Sequence, residues 1–110
     1  MKKQLPIADR STLLKRRVSA WGVRLKVSPR IIRVQHMSRK WGSCSTSGII
    51  TLAIDLYEQD ARFQDFVIVH ELLHLRVPNH GRLFKVLMTT YVPGWRALEV
   101  QREMYAIGGG

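Results

Sequence analysis

The sequence predicts one small domain of mixed α and β structure, with a helix first, two short strands next and a group of helices last. Apolar and polar residues alternate in two short segments of the first half, and apolar residues recur at helical spacing or in long runs elsewhere. The 110 residues, of which 45% are hydrophobic and 24% charged, suit a folded chain with one compact core. We therefore expect residues 1–110 to form a single domain.

The first predicted element is a helix over residues 9–20. Its apolar side chains recur at intervals of three and four residues, as on one face of a helix. Asp9 or Ser11 is expected to cap its N-terminus, and Gly22 is expected to break it.

Two strands are predicted next, because apolar and polar side chains alternate over residues 30–36 and again over residues 50–56. The segment between them, residues 41–48, consists mainly of small residues and is expected to be a connector. Within it, we expect Trp41 to pack against the helix that follows the strands and Gly42 to permit a turn.

Three helices are predicted in the second half of the chain. Residues 61–75 are apolar almost throughout their second part, which predicts a buried helix. Proline-containing stops separate it from amphipathic helices over residues 82–91 and 95–105, and the glycine run 108–110 is expected to be a frayed tail. Three residues share one face of the middle helix: Leu83, Leu87 and Tyr91.

The charge balance is strongly basic, with a formal net charge of +10. Such a charge can attract nucleic acid, ribosomes or acidic substrates, or it can simply keep the protein soluble. Most of the basic residues precede residue 41, so nucleic-acid contact, if it occurs, is expected in the N-terminal half. Charge alone describes a field and does not identify a site.

Several features favour a cytoplasmic protein. Charged residues interrupt every apolar run, so no membrane-spanning helix is expected, and no apolar signal segment follows the basic N-terminus. The single cysteine, Cys44, cannot form an internal disulfide, which suits a reducing compartment. A catalytic role for Cys44 is not expected.

The motif His70-Glu71-Leu72-Leu73-His74 carries the chemistry of the sequence. Two histidines four residues apart project from one face of a helix and can bind one ion, for which zinc is the metal that imidazole suits. His80 is the nearest candidate for a third ligand. Its spacing matches the metzincin pattern, but Val77 occupies the position of the metzincin glycine and argues against that class. Burying these polar groups in an ordinary core would be costly without a metal partner.

Three segments, one of which contains this motif, are distinctive: Arg39 to Ser45, the helix segment Val67 to Leu75, and Asn79-His80-Gly81. Together they resemble the YgjP-like metallopeptidases, which are related to SprT-like proteases and other minimal zincins. The resemblance runs from about residue 33 to residue 102. Gly81 stands where the family usually has serine, and Leu73 where it usually has a small residue.

The resemblance implies a zincin-like α+β fold, with an N-terminal helix, a small mixed or antiparallel sheet, the HExxH metal helix and C-terminal helices. It also implies that His70, His74 and His80 are the metal ligands and that Glu71 is the catalytic base. These assignments agree with the interpretation of the motif itself.

The predicted activity is zinc-dependent hydrolysis of peptide bonds, in which Glu71 takes a proton from a water molecule at the zinc ion. The expected substrate is a peptide or protein that pairs with the strand around residues 49–56. Candidates for stabilising the oxyanion are Tyr91, Arg39 and His36.

Two alternative functions would depend on the basic charge of the protein. One is a nucleic-acid-binding module with a structural zinc, and the other is a protease recruited to DNA or ribosomes. The first is weaker, because a structural zinc site normally has a fourth protein ligand and the sequence offers none nearby.

Overall fold

The structure, a computed structural model, describes the backbone of residues 5–108 and the side chains of residues 5–104. Within that part of the chain the α-helices and strands are α1 (Ile7–Leu25), β1 (Ile31–Gln35), β2 (Gly42–Cys44), β3 (Ile49–Ala53), α2 (Ala61–Leu73), α3 (Arg82–Tyr91) and α4 (Trp95–Gly108). A short 3₁₀ helix, Ile54–Glu58, joins β3 to α2. The α+β class is confirmed. Of the expected glycine tail, Gly108 ends α4, and residues 109 and 110 lie outside the described residues.

Helix α1 is longer at both ends than the sequence predicts. It begins at Ile7, so the expected caps Asp9 and Ser11 lie within its first turns. The expected break at Gly22 is wrong, because the helix continues to Leu25 and Gly22 is buried within it. Glycine costs a helix only about 1 kcal/mol relative to alanine, which the burial of its apolar neighbours outweighs.

The three strands form a mixed sheet in the order β1-β3-β2. Strand β1 runs parallel to β3, with Val34 opposite Leu52, and β2 runs antiparallel to β3, with Ser43 opposite Thr51. Central strand β3 is therefore paired on both sides, and β2 is an edge strand. The sequence indicates β1 and β3, although β3 ends at Ala53, earlier than predicted. It does not indicate β2, which lies in the predicted connector.

Helix α2 is the centre of the domain and is buried on all sides. From Phe63 to Leu73 every residue except Asp65 is buried, as the apolar run predicts. Helix α1 and the sheet pack against α2 from one side, and α3 and α4 pack against it from another. The ring of Trp41 meets that of Phe63 edge-on at 5.3 Å between centroids, which confirms that Trp41 packs against the helix that follows the strands.

Polar contacts join α1 to α2, and the Arg17 guanidinium donates a hydrogen bond to the Ala61 carbonyl at 3.1 Å. The carboxylate of Asp65 accepts hydrogen bonds from the Arg17 guanidinium and, at 2.8 Å, from the Trp21 indole. The buried residues of α3 are Phe84 and Met88. Of the three residues predicted to share a face, Leu87 and Tyr91 are half-buried against the core and Leu83 is exposed. None of the described helices combines the length and the apolar character needed to cross a membrane.

Candidate metal centre

Three histidines converge where α2 ends and α3 begins. His70 lies in the last turn of α2, His74 is its C-terminal cap residue, and His80 precedes α3. Their ligand atoms all lie within 4.8 Å of one another, and the Nε2 atoms of His74 and His80 are 3.1 Å apart. The structure therefore brings together the three histidines that the sequence analysis selected.

The loop after α2 returns the chain to the helix end. The Val77 N–H donates to the Leu73 carbonyl at 2.7 Å, which tightens the last turn before Pro78. The Asn79 side chain then accepts a hydrogen bond from the Gly81 N–H at 3.0 Å. This turn positions His80 opposite α2.

The histidine cluster fits a tetrahedral metal ion. Zinc–nitrogen bonds of about 2.0–2.1 Å at tetrahedral angles separate ligand nitrogens by roughly 3.4 Å. The pair at 3.1 Å is close to this value, and the widest separation of 4.8 Å needs only a side-chain adjustment. Three imidazoles are also a donor set that zinc accepts, with a fourth position left for substrate or water.

An apolar wall lies against the cluster. The buried Phe84 ring stacks against His74 at 5.3 Å and lies 4.5 Å from the His80 ring, measured between centroids. Phe66 lies 5.9 Å from the His70 ring. These aromatic rings cover part of the histidine cluster with apolar surface, while His74 also lines the cleft beside Glu71.

Two hydrogen bonds define the tautomer of His70. The Arg102 guanidinium lies 3.3 Å from His70 Nε2, and Glu71 Oε2 lies 3.2 Å from His70 Nδ1. Since a guanidinium can only donate, Nε2 must accept, and the ring hydrogen is on Nδ1 and is donated to Glu71. The Nε2 lone pair is therefore directed away from Glu71, and a metal bound there would take the place of the Arg102 contact.

The other two imidazoles are held in the neutral form. Burial lowers the pKa of His74, and the neighbouring His70 lowers it further. Burial likewise lowers the pKa of His80, with contributions from His70 and Arg102. Neutral imidazole is the metal-binding form, so the cluster can bind a metal at and somewhat below neutral pH.

Glu71 is a buried carboxylate, only 5% exposed, beside the cluster. Gly42 at the start of β2 lies against it, and a Cβ atom at Gly42 would be 3.2 Å from Glu71 Cγ. Among the described glycines, only Gly48 and Gly94 have positive φ, so Gly42 does not serve a turn as expected. Its role is to leave space for the Glu71 side chain.

A cleft of about 580 Å³ opens beside Glu71 and His74. One wall is the segment before and along β2, and the other is the C-terminal part of α4. The strand-side residues are Arg39, Lys40, Trp41, Gly42, Ser43, Cys44, Ser45 and Thr46, and the helix-side residues are Arg102 and Glu103. Burial, and to a lesser extent Glu71, raise the pKa of the Cys44 thiol, which keeps it protonated and weakly nucleophilic.

One residue of the site was not predicted from the sequence, and two of the predicted oxyanion candidates lie elsewhere. Arg102 contacts His70, yet nothing in its surrounding sequence marks it. Tyr91 instead packs edge-on against Trp21 at 6.3 Å. His36 is exposed and does not line the cleft, whereas Arg39, the third oxyanion candidate, does.

Comparisons with known proteins bear on the family and the fold of the chain. The model of the YgjP-like metallopeptidase domain matches residues 7–102. The metallopeptidase zymogen jannalysin of Methanocaldococcus jannaschii shares 23% identity and a TM-score of 0.66, over 89% of this chain and 94% of that one. The metallopeptidase zymogen abylysin of Pyrococcus abyssi shares 19% identity and a TM-score of 0.68, over 86% and 93%. These structures confirm the fold. A comparison with curated protein sequences gave no significant match.

Proposed function

The chain belongs to the YgjP-like metallopeptidase family, and from this premise we propose that it is a zinc peptidase in which His70, His74 and His80 hold the metal and Glu71 is the general base. The observation that carries the proposal is the position of a buried carboxylate beside three converging imidazoles, with Glu71 and His74 lining an open cleft. A structural zinc site would be closed by a fourth protein ligand. The cluster found among the described residues has three members.

The site provides the groups that amide hydrolysis requires. A bound zinc ion would supply Lewis-acid polarisation of the substrate carbonyl and acidify the attacking water. Glu71 accepts the proton of that water at its carboxylate and passes it to the leaving amine. The hydrogen bond from His70 Nδ1 holds the carboxylate in place and orients the His70 ring.

The substrate is a peptide or protein segment in extended form. The expected partner strand, residues 49–56, cannot serve this purpose, because β3 is paired on both sides. Strand β2 has one free edge and lines the cleft. An extended peptide that adds to β2 would pass Glu71 and receive backbone hydrogen bonds that do not depend on its sequence.

We also propose that residues 1–110 act as one catalytic domain, which the family match over residues 7–102 supports. A cytoplasmic location stays a prediction, supported by the single, free Cys44. Nucleic-acid binding, and recruitment of the protease to DNA or ribosomes, also stay predictions.

The decisive experiment compares Glu71→Gln with the parent on an unfolded protein substrate. The amide is nearly isosteric, so zinc content by elemental analysis and the circular dichroism spectrum should be unchanged, while turnover falls by roughly 10²-fold or more. An active parent with an equally active Glu71→Gln variant would refute the assignment of the base.

The ligand assignment has its own test. His70→Ala, His74→Ala and His80→Ala should each lower zinc affinity sharply, because two imidazoles remain. Zinc affinity is measured by competition with a chromophoric chelator, with His36→Ala as the matched control because His36 is exposed and lies outside the cleft. Parental affinity in His80→Ala would show that His80 is not a ligand.

A further inference from the structure

We propose that the cleft selects extended peptide segments that carry acidic side chains, with Arg39 and Lys40 on one wall and Arg102 on the other. The inference rests on the proposed peptidase function and names its substrate class. Three features of the described residues support it: two free cations beside the edge strand, a held guanidinium opposite them, and a second pair of cations beyond His80.

The first wall presents two exposed cations. Arg39 and Lys40 directly precede β2 and line the cleft. Neither forms an ion pair with any of the described residues. A peptide added to the free edge of β2 advances about 3.3 Å per residue, so a side chain within a few residues of the scissile bond reaches these cations.

The second wall presents a guanidinium that is already held in place. Arg102 is 3.2 Å from the Glu99 carboxylate, and its guanidinium lies 5.9 Å from the Phe66 ring centroid. Its side chain is 27% exposed. A guanidinium fixed in this way loses little freedom when it binds a carboxylate through two parallel hydrogen bonds.

Cations also border the other side of the histidine cluster. A smaller depression of about 310 Å³ lies between His80 and the first turn of α4, and it contains Lys85 and Arg96. The Arg96 guanidinium stacks over the Trp95 ring at 4.6 Å. The same depression contains one carboxylate, that of Glu99. Acidic side chains on either side of the scissile bond would therefore meet basic residues.

The carboxylates of the larger cleft do not cancel its cations. Glu71 is buried and accepts a hydrogen bond from His70, so Glu103 is the acidic group on the exposed rim. Three cations thus stand against one exposed carboxylate among the described lining residues. A cleft with one sign of charge concentrates its field and raises the local concentration of oppositely charged ligands.

The same cations could attract nucleic acid, but the cleft favours a peptide. Single-stranded nucleic acid is usually held by exposed aromatic rings on which bases stack. The aromatic side chain that lines this cleft, Trp41, is only 4% exposed and packs against Phe63. The free edge of β2 offers backbone hydrogen bonds, which an extended peptide can use.

The test measures peptide binding without cleavage, in the zinc-loaded Glu71→Gln protein. Three fluorescein-labelled peptides share one neutral centre and carry glutamate, glutamine or lysine at the flanking positions. At about 50 mM salt we expect the glutamate peptide to bind roughly tenfold more tightly than the glutamine peptide, and the lysine peptide to bind most weakly. High salt should reduce the preference.

Charge-removing variants test whether the preference for the glutamate peptide arises from the cleft. In the same background, Arg39→Gln/Lys40→Gln should reduce the preference to about twofold or less, and Arg102→Gln should reduce it in part. Lys15→Gln/Arg16→Gln removes two charges from exposed positions of α1 outside the cleft and should leave the preference intact. A preference that falls equally in both double variants would mean that only net charge matters and would overturn the proposal.

Further outcomes separate the selectivity from the peptidase activity. If the parent cleaves all three peptides at equal rates and the Glu71→Gln protein binds them equally, the activity stands and the acidic selectivity is wrong. If acidic peptides bind selectively in the cleft but no substrate is cleaved, the binding preference stands and the proposed hydrolysis fails. If a single-stranded oligonucleotide binds more tightly than the glutamate peptide and loses affinity in Arg39→Gln/Lys40→Gln, the cleft is a nucleic-acid site and the proposal is overturned.

Discussion

Replacing Gly42 with alanine tests whether the start of β2 determines the position of the general base. The added Cβ would lie 3.2 Å from Glu71 Cγ, 3.2 Å from Leu52 Cδ2 and 3.2 Å from Val67 Cγ1. Ordinary carbon contacts are about 3.5–4.0 Å, so the neighbours must move by roughly 0.3–0.8 Å. Leu52 and Val67 are enclosed by the core, whereas the Glu71 carboxylate borders the cleft. We therefore expect Glu71 to move most.

Two magnitudes follow from this displacement. Inserting a methyl group into a packed region costs about 1–3 kcal/mol. For a domain of about 100 residues, each kcal/mol lowers Tm by about 4–8 °C. A misplacement of about 1 Å can reduce a rate 10²-fold, so a shift of half that size should reduce kcat by about tenfold. Zinc affinity should change little, because no histidine is among the three contacted side chains.

The assay combines thermal unfolding, zinc content and kcat for Gly42→Ala, with Ser43→Ala as the control in the same strand. The double variant Gly42→Ala/Glu71→Gln isolates the cause. If the methyl group acts on the rate through Glu71, it should reduce kcat little further once Glu71 is replaced. A Gly42→Ala protein as stable and as active as the parent would refute the reasoning, and a full additional loss of kcat in the double variant would assign the effect to another group.

Three further predictions concern protonation, the α1–α2 contact and the metal. Because the pKa values of His74 and His80 are lowered in the folded protein, the unfolded chain binds protons more readily, and the metal-free protein should lose stability as pH falls below about 6.5. In urea unfolding, a His74→Gln/His80→Gln variant should lose less stability over the same pH range. An identical loss in the variant would contradict the lowered pKa values. Asp65→Ala removes the acceptor of two donors on α1 and should cost about 1–2 kcal/mol in urea unfolding, with zinc content unchanged. No loss of stability would show that the two hydrogen bonds to Asp65 do not stabilise the helix pair. Arg102→Gln removes a cation 3.3 Å from His70 Nε2, where it would repel a bound zinc ion, and should tighten zinc binding by roughly tenfold in a chelator competition. Equal or weaker zinc binding would argue against this repulsion.

Helix α2 and its proposed metal ligands could be predicted from the sequence because the pattern that indicates them is local. Residues four apart on a helix share a face, so His70 and His74 are paired by backbone geometry alone. The apolar run around them likewise predicts burial, and the structure confirms it. The bounds of α3, Arg82–Tyr91, agree with the prediction because a proline and a glycine mark its limits.

The features that sequence analysis missed depend on contacts between distant segments. Helix α3 has apolar residues on two faces, and the position of α2 decides that Phe84 and Met88 face inward and Leu83 outward. Strand β2 has only three residues, too few for an alternating pattern. Arg102 belongs to the site because α4 crosses near His70, a contact between residues 32 apart in the chain.

Because α2 is buried at the centre of the domain, its positions tolerate few substitutions, whereas positions in the cleft walls can vary. The helix supplies both the chemistry and the middle of the core, so most substitutions in it would reduce folding and catalysis together. The cleft walls are different, because β2 is a three-residue edge and the cleft-lining part of α4 lies at the surface. A lineage could therefore acquire new substrates by exchanging a few residues before β2 and near the end of α4, while the reaction centre is inherited unchanged. A library restricted to Arg39, Lys40, Arg102 and Glu103 would sample that freedom directly.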